Sequence, residues 1–242
     1  MILPDYGIDA PTIVRNNAIG AVLCWLAAFG VFLAYLRRDA DFAWSVLIQG
    51  CVAGAIIMSV AGFMLWSSRV GKFRVRNRLL DGIDWRGGEQ VLDIGCGRGL
   101  TLIGAAKRLP SGRAVGIDLW SQTDLSANSP EATWNNARAE GMDGRIAIET
   151  GDARALPFAD GAFDVVLSMT AIHNIKGKAG RKQAIAEAVR VLKPGGRLAL
   201  FDIFHAGQYR GWLVEAGLQD VASSWPYVLW MVPGRILTGR KA

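Results

Sequence analysis

Three kinds of residue in this chain could do chemistry, and the first is a run of glycines. Val91 to Gly99 reads VLDIGCGRG, a strand-like stretch carrying Asp93 that turns through Gly95, Gly97 and Gly99. Glycine lets a backbone turn tightly and lets a ligand approach it closely. A helix starting at such a turn adds free N–H groups. A dinucleotide loop wants G-x-G-x-x-G. That pattern needs glycine at position 100, which is Leu100, so a nicotinamide-dependent oxidoreductase is disfavoured. The second kind is acidic. Asp118 closes another strand-like stretch 21 residues after Gly97, and Asp152 follows Gly151. A carboxylate can accept from two hydroxyl donors at once. The third kind is histidine: His173 and His205 each follow an expected strand, where a neutral imidazole could take a proton from a hydroxyl, thiol or amine. Two histidines and the scattered Cys24, Cys51 and Cys96 give neither a metal centre nor a disulfide framework.

The elements that must position these residues are legible as apolar runs. Strands are expected at Gln90–Ile94, Ala114–Asp118, Ile146–Thr150, Phe163–Met169 and Arg197–Phe204. Helical patterns fall between and after them, at Thr101–Arg108, Pro130–Glu140, Gly180–Leu192 and Gly207–Ala216. Alternation of this kind implies an α/β fold, a Rossmann-like, doubly wound and mostly parallel sheet with helices on both faces. The tail, Val221–Arg240, reads as one or two terminal strands. In open sheets of this type, ligands bind beyond the carboxyl ends of the strands. The glycines, Asp118, His173, Asn174, Asp202 and His205 all map to that edge.

The N-terminal quarter is different in kind. The whole chain of 242 residues is 51% hydrophobic, with mean hydropathy +0.24, which excludes a disordered chain. Much of that comes from two runs without charge or proline, Ala18–Leu36 and Phe42–Trp66. Roughly 20 apolar residues of helix span a bilayer. Tyr35, Trp44 and Trp66 sit at the ends of the runs, as in an interfacial aromatic belt. The short link Arg37–Asp41 makes them an antiparallel transmembrane hairpin, and Gly50 and Gly54 permit close helix approach. Net charge is +6, and residues 67–242 hold 24 basic and 17 acidic side chains. Arg69, Lys72, Arg74, Arg76, Arg78 and Arg86 follow the second run closely. The positive-inside rule then puts the C-terminal domain in the cytoplasm. Attraction of this basic stretch to anionic headgroups accounts for the charge without nucleic acid. The expected organisation is a tail and hairpin over 1–66, a basic juxtamembrane linker over 67–86 and a catalytic domain over 87–242. The partners expected are the bilayer, a small-molecule or lipid acceptor and no nucleic acid. The apolar helices leave room for a homo-oligomer.

VLDIGCGRG resembles the first motif of class I S-adenosylmethionine-dependent methyltransferases, and the likeness continues through residues 75–205. Val115–Asp118 resembles the second motif. Gly151-Asp152-Ala153 with Leu156-Pro157-Phe158 resembles the adenine-contacting segment. Phe163–Val166 and Val191–Gly196 resemble the fourth-strand motif and the turn before strand five. Trp120–Asn136 and Ile172–Ile175 are also similar to a membrane-anchored bacterial group, which implies the bacterial inner membrane. The resemblance implies S-adenosyl-L-methionine as cofactor and no metal. Gly95, Gly97 and Gly99 would shape the pocket for its methionine part, with Asp93 beneath. Asp118 would take the ribose hydroxyls, Asp152 the adenine amino group with Ala153 beside it, and Trp120 or Leu119 the adenine face.

Methyl transfer from a sulfonium mostly needs alignment of nucleophile and methyl carbon. A base is needed only for an acceptor that keeps its proton, and His173 and His205 are the candidates for it. The expected function is a membrane-bound methyltransferase acting on a lipophilic or membrane-associated acceptor. Two alternatives stay open: a tethered enzyme with a soluble acceptor, and a non-catalytic cofactor-binding scaffold.

Overall fold

The structure, a computed structural model, describes residues 3–122, 125–230 and 232–242. It divides into two compact units, Ile8–Val70 and a second built from Gly71–Ala242 together with the segment up to Gly7.

In the first unit the two apolar runs form α1 (Pro11–Tyr35) and α2 (Ala40–Trp66). Proline opens α1, where no hydrogen bond is lost. Asp39 caps α2 by accepting from Phe42 N at 2.9 Å. The buried positions are mostly small: Ala21 and Ala28 on α1, Ala43, Gly54 and Ala61 on α2. A Cβ at Gly50 would stand 2.1 Å from Ala28 Cβ, and one at Gly54 would stand 2.1 Å from Trp25 Nε1. The two glycines expected to permit close approach are therefore filled inside the hairpin. Trp25 Nε1 also donates to the Cys51 carbonyl at 3.2 Å. Large apolar side chains, among them Leu26, Phe29, Ile48 and Ile56, point outward. Both helices are long and apolar enough to cross a membrane, and only 17% and 11% of their most apolar stretches is covered.

A π turn, Ser67–Gly71, leads on to α3 (Lys72–Asp81). Here the structure differs from the linker expected over 67–86. Val75, Leu79 and Leu80 are fully buried against the sheet domain, while Arg74 and Arg78 face outward. The domain thus begins at Gly71 rather than 87, because an amphipathic helix lies under the basic residues.

The remaining elements follow in order: β1 (Gln90–Ile94), α4 (Leu100–Ala106), β2 (Arg113–Asp118), α5 (Pro130–Ala139), β3 (Ile146–Thr150), β4 (Phe163–Met169), α6 (Lys178–Arg190), β5 (Leu192–Asp202), α7 (Ala206–Glu215), β6 (Leu218–Ser223), β7 (Tyr227–Trp230) and β8 (Val232–Lys241). The sheet runs β3-β2-β1-β4-β5-β8-β6, with β7 paired to β8. Strands β1 to β5 run parallel to one another; β8 is antiparallel to β5, β6 and β7. The sheet is therefore mixed, and the tail supplies three strands where one or two were expected. Alternation along the strands feeds two cores: Val91, Val165, Leu167 and Phe201 on one face, Leu92, Val166, Leu198 and Leu200 on the other. Strand order reverses between β1 and β4, which opens the crevice for a ligand at their carboxyl ends.

Candidate active site

The glycine loop leaves β1 at that reversal point. Gly95 and Gly97 hold φ of +72° and +52°, conformations that L side chains resist. A Cβ at Gly95 would stand 2.1 Å from Ala171 Cβ, in the loop after β4. Glycine is thus required here by packing between two loops of the protein itself. Gly99 is the residue at which α4 begins.

Asp118 ends β2 and ties the loop down. Its Oδ2 accepts from Gly97 N at 2.8 Å, and its Oδ1 from Trp120 N at 2.6 Å and Asn128 Nδ2 at 3.3 Å. A carboxylate has about four lone-pair positions, so hydroxyl donors would share it with the backbone. Asn128, missed in the sequence reading, is buried and also donates to the Ser121 carbonyl at 3.0 Å.

Asp93 lies at the foot of the same loop. It is fully buried, and among the described residues neither carboxylate oxygen has a hydrogen-bond partner. Burial pushes its pKa well up; the Leu102 amide opposes the shift without bonding the carboxylate, and the charge of Asp118 adds to it. An unpaired buried acid calls for a donor or a cation, and the amino group of a methionine moiety is both. The residues present therefore fit S-adenosylmethionine. Cys96, in the middle of the loop, is buried, and burial pushes its thiol up, away from the reactive thiolate.

The expected adenine side is less fully assembled. Leu119 is 62% exposed and turns away from the domain. Trp120 packs against the core at φ +60°, its indole N–H donating to Thr150 Oγ1 at 2.8 Å. Of the two, only Trp120 is held in place to present a ring. Arg154 holds both oxygens of Asp152 through Nε, at 3.0 and 2.9 Å, and keeps that carboxyl below its ordinary range. Ala153 packs against the second core.

The two histidines part company. His173 follows β4, and its Nδ1 stands 2.5 Å from Oδ1 of Asp202 at the end of β5. The contact is at ion-pair distance without hydrogen-bond alignment. The other oxygen, Oδ2, accepts from His173 N at 3.0 Å. Asp202 is buried, and the His173 ring meets Phe204 edge-on at 5.8 Å. His205 is exposed at the start of α7, and its contacts are the rings of Phe204 and Tyr209. Among the described residues no cluster of His, Cys, Asp and Glu could hold a metal ion.

A mixed seven-strand path with a glycine loop and a β2 aspartate at the reversal point defines the class I methyltransferase architecture. Residues 91–196 match the family model described as a methyltransferase domain. The chain is 33% identical over 151 residues to "Methyltransferase GfsG" of Streptomyces halstedii, covering 62% of this chain and 48% of that protein. It is 29% identical over 187 residues to a "Ubiquinone/menaquinone biosynthesis C-methyltransferase UbiE" of Dinoroseobacter shibae, covering 72% and 68%. A SAM-dependent methyltransferase from Aquifex aeolicus shares the fold, with TM-score 0.54 and 16% identity over 69% of this chain and 89% of that one. The chain spans less than half the length of the first curated relatives it matches. Residues 91–196 are a methyltransferase domain with the fold of S-adenosylmethionine-dependent methyltransferases, and S-adenosyl-L-methionine is the cofactor that such a domain uses. The family match lies wholly outside α1 and α2.

Proposed function

We propose that the chain is an integral membrane methyltransferase of the bacterial inner membrane, with a cytoplasmic domain that methylates a lipophilic or membrane-associated acceptor. The observation that carries this reading is the joining, in one chain, of a methyltransferase domain to two helices whose large apolar side chains face outward. Outward Leu, Ile and Phe over two such lengths are a poor surface in water and a good one in lipid. The segment before α1 belongs to the same unit as the domain after α2, as an even number of crossings requires. The name of the UbiE relative refers to ubiquinone and menaquinone biosynthesis, which favours an acceptor of the same lipophilic class. A homo-oligomer through the helices would need a face other than Gly50 and Gly54, which Ala28 and Trp25 already fill.

Bound S-adenosylmethionine supplies an electrophilic methyl group on a sulfonium. The chain's own part is to hold and orient. Asp93 would take the amino group, the Gly95–Gly99 loop would shape the pocket around it, and Asp118 would take the ribose hydroxyls with the acceptor positions that Gly97 N, Trp120 N and Asn128 leave. Asp152 with Ala153, and Trp120, would bound the adenine. His173 would receive an acceptor proton: the Asp202 carboxylate beside Nδ1 favours the ring proton there, which would leave Nε2 to accept.

The test is to incubate the purified full chain with methyl-labelled S-adenosylmethionine and extracted host membranes, then to locate the label. Label in the lipid-soluble fraction is expected; label only in water-soluble product points to a tethered enzyme with a soluble acceptor. Replacing Pro11–Trp66 with an unrelated two-span hairpin separates the cases further. Native turnover in that chimera makes the hairpin a tether. Low turnover with unchanged S-adenosylhomocysteine affinity makes it part of acceptor access.

A further inference from the structure

The segment that precedes α1 carries no periodic pattern, yet it is built into the foot of the glycine loop. Asp5 N donates to Asn136 Oδ1 at 2.8 Å, and Asn136 Nδ2 returns a bond to the Asp5 carbonyl at 2.8 Å. The same Nδ2 donates to the Arg98 carbonyl at 2.9 Å. Asn136 is 3% exposed, so these partners rather than water satisfy it. One turn earlier on α5, the buried Thr133 hydroxyl donates to the Gly97 carbonyl at 2.6 Å. The carbonyls of Gly97 and Arg98, two consecutive residues of the loop, are thus taken by two side chains three apart on one helix face. Arg98 adds a direct link, its guanidinium donating to Asp5 Oδ2 at 2.9 Å and to the Ser126 carbonyl at 3.2 Å. The next residues fasten the segment: Tyr6 is buried edge-on to Phe73 with its hydroxyl on Glu140, and buried Lys72 donates to the carbonyls of Tyr6 and Gly7.

We infer that Asp5–Gly7 is a strap that positions the cofactor loop, with Asn136 as the shared clamp between strap and loop. The strap reaches the loop through Asn136 and the Arg98 side chain, and acts on the ligand through the Gly97–Arg98 segment. These are positioning residues. Without the strap, Asn136 keeps one of its three bonds in a buried place, and Arg98 loses its carboxylate partner. The loop would then relax around Gly97, whose N–H is the one Asp118 holds. The inference rests on the reading that this loop binds S-adenosylmethionine.

The experiment compares wild type with Asn136→Ala and Asp5→Ala, each as full chain in detergent, by two measurements. One is hydrogen exchange of the Gly95–Thr101 segment without ligand. The other is S-adenosylhomocysteine affinity by calorimetry. Expected for Asn136→Ala are faster loop exchange and affinity weaker by about tenfold; for Asp5→Ala, which removes an exposed carboxylate and leaves the core intact, about twofold to threefold. Should Asn136→Ala fail to fold, Asp5→Ala decides alone. Unchanged exchange, or faster exchange with unchanged affinity, overturns the inference. A wild type that binds no S-adenosylhomocysteine overturns the cofactor reading instead, and faster loop exchange in the variants would still support the strap.

Discussion

The hairpin and the sheet domain are built on opposite rules. In the domain the buried side chains are large, with Leu79, Leu92, Phe201 and Tyr209 fully enclosed, and the outside is charged. In the hairpin the buried positions, Val14 apart, are alanine and glycine, and most of the large apolar side chains lie outside. Water-driven burial explains the first arrangement, at about 25 cal/mol per Å² of apolar surface removed from water. It cannot explain the second, where little large apolar surface is covered. Close backbone approach and dispersion do that work there, together with the interhelical bond from Trp25 to the Cys51 carbonyl. One chain therefore has two kinds of interior.

Opposite substitutions should break the two regions. Leu79→Ala, at a fully buried site on α3, should destabilise the domain by about 2–5 kcal/mol. Denaturant titration of the detergent-solubilised protein checks this, with the hairpin's helical signal persisting after the domain transition. Asp118→Ala comes next. It removes the acceptor of Gly97 N and the proposed ribose site together, and should weaken S-adenosylhomocysteine binding by roughly 1.5–3 kcal/mol, or about 10- to 150-fold. Unchanged affinity in calorimetry would sink that assignment. Gly50→Leu inverts the logic of Leu79→Ala: added bulk 2.1 Å from Ala28 Cβ should cost the hairpin about 1–3 kcal/mol. Energy transfer between probes on α1 and α2 should fall while cofactor affinity stays at wild type; a parallel loss of affinity would show that the two interiors are coupled.

The smallest effect is one of pH. In an unfolded chain Asp93 ionises around 3.8, and burial raises it well above that in the folded domain. The unfolded chain then gives up its proton first, so ligand-free stability falls as pH rises from about 4 through the raised folded value. Asp93→Asn should flatten that decline and melt higher than wild type at neutral pH, while weakening cofactor binding. Parallel melting profiles across pH 4–8 would assign the dependence to another group.

Much of the domain was legible from its apolar runs alone. β1, β3 and β4 fall where apolar runs bounded by glycine or charge place them, because a strand covered on both faces, as β1 and β4 are, reads as a continuous apolar run. α3 was hidden by its charges: Arg74, Arg76 and Arg78 flank Val75 and Leu79, which lie four apart on the buried face. β5 begins five residues before the expected Arg197, since the Pro194-Gly195-Gly196 turn reads as loop while pairing irregularly with β4. At the site, a shared motif made the glycines, Asp93 and Asp118 visible. The partnership of His173 with Asp202, 29 residues apart, and that of Asp5 with Asn136, 131 apart, leave no local periodic trace.

The distance between Asp5 and Asn136 also bears on how the molecule is made. Asp5 leaves the ribosome 131 residues before Asn136 of α5, its partner, and Tyr6 leaves 134 residues before Glu140. Both apolar helices are synthesised within that interval. Asp5–Gly7 must then stay undocked until α5 exists. Closure of so long a loop is among the late and slow contacts of a folding chain. The strap would thus be among the last parts of the domain to find its place, making its docking a checkpoint for a finished domain.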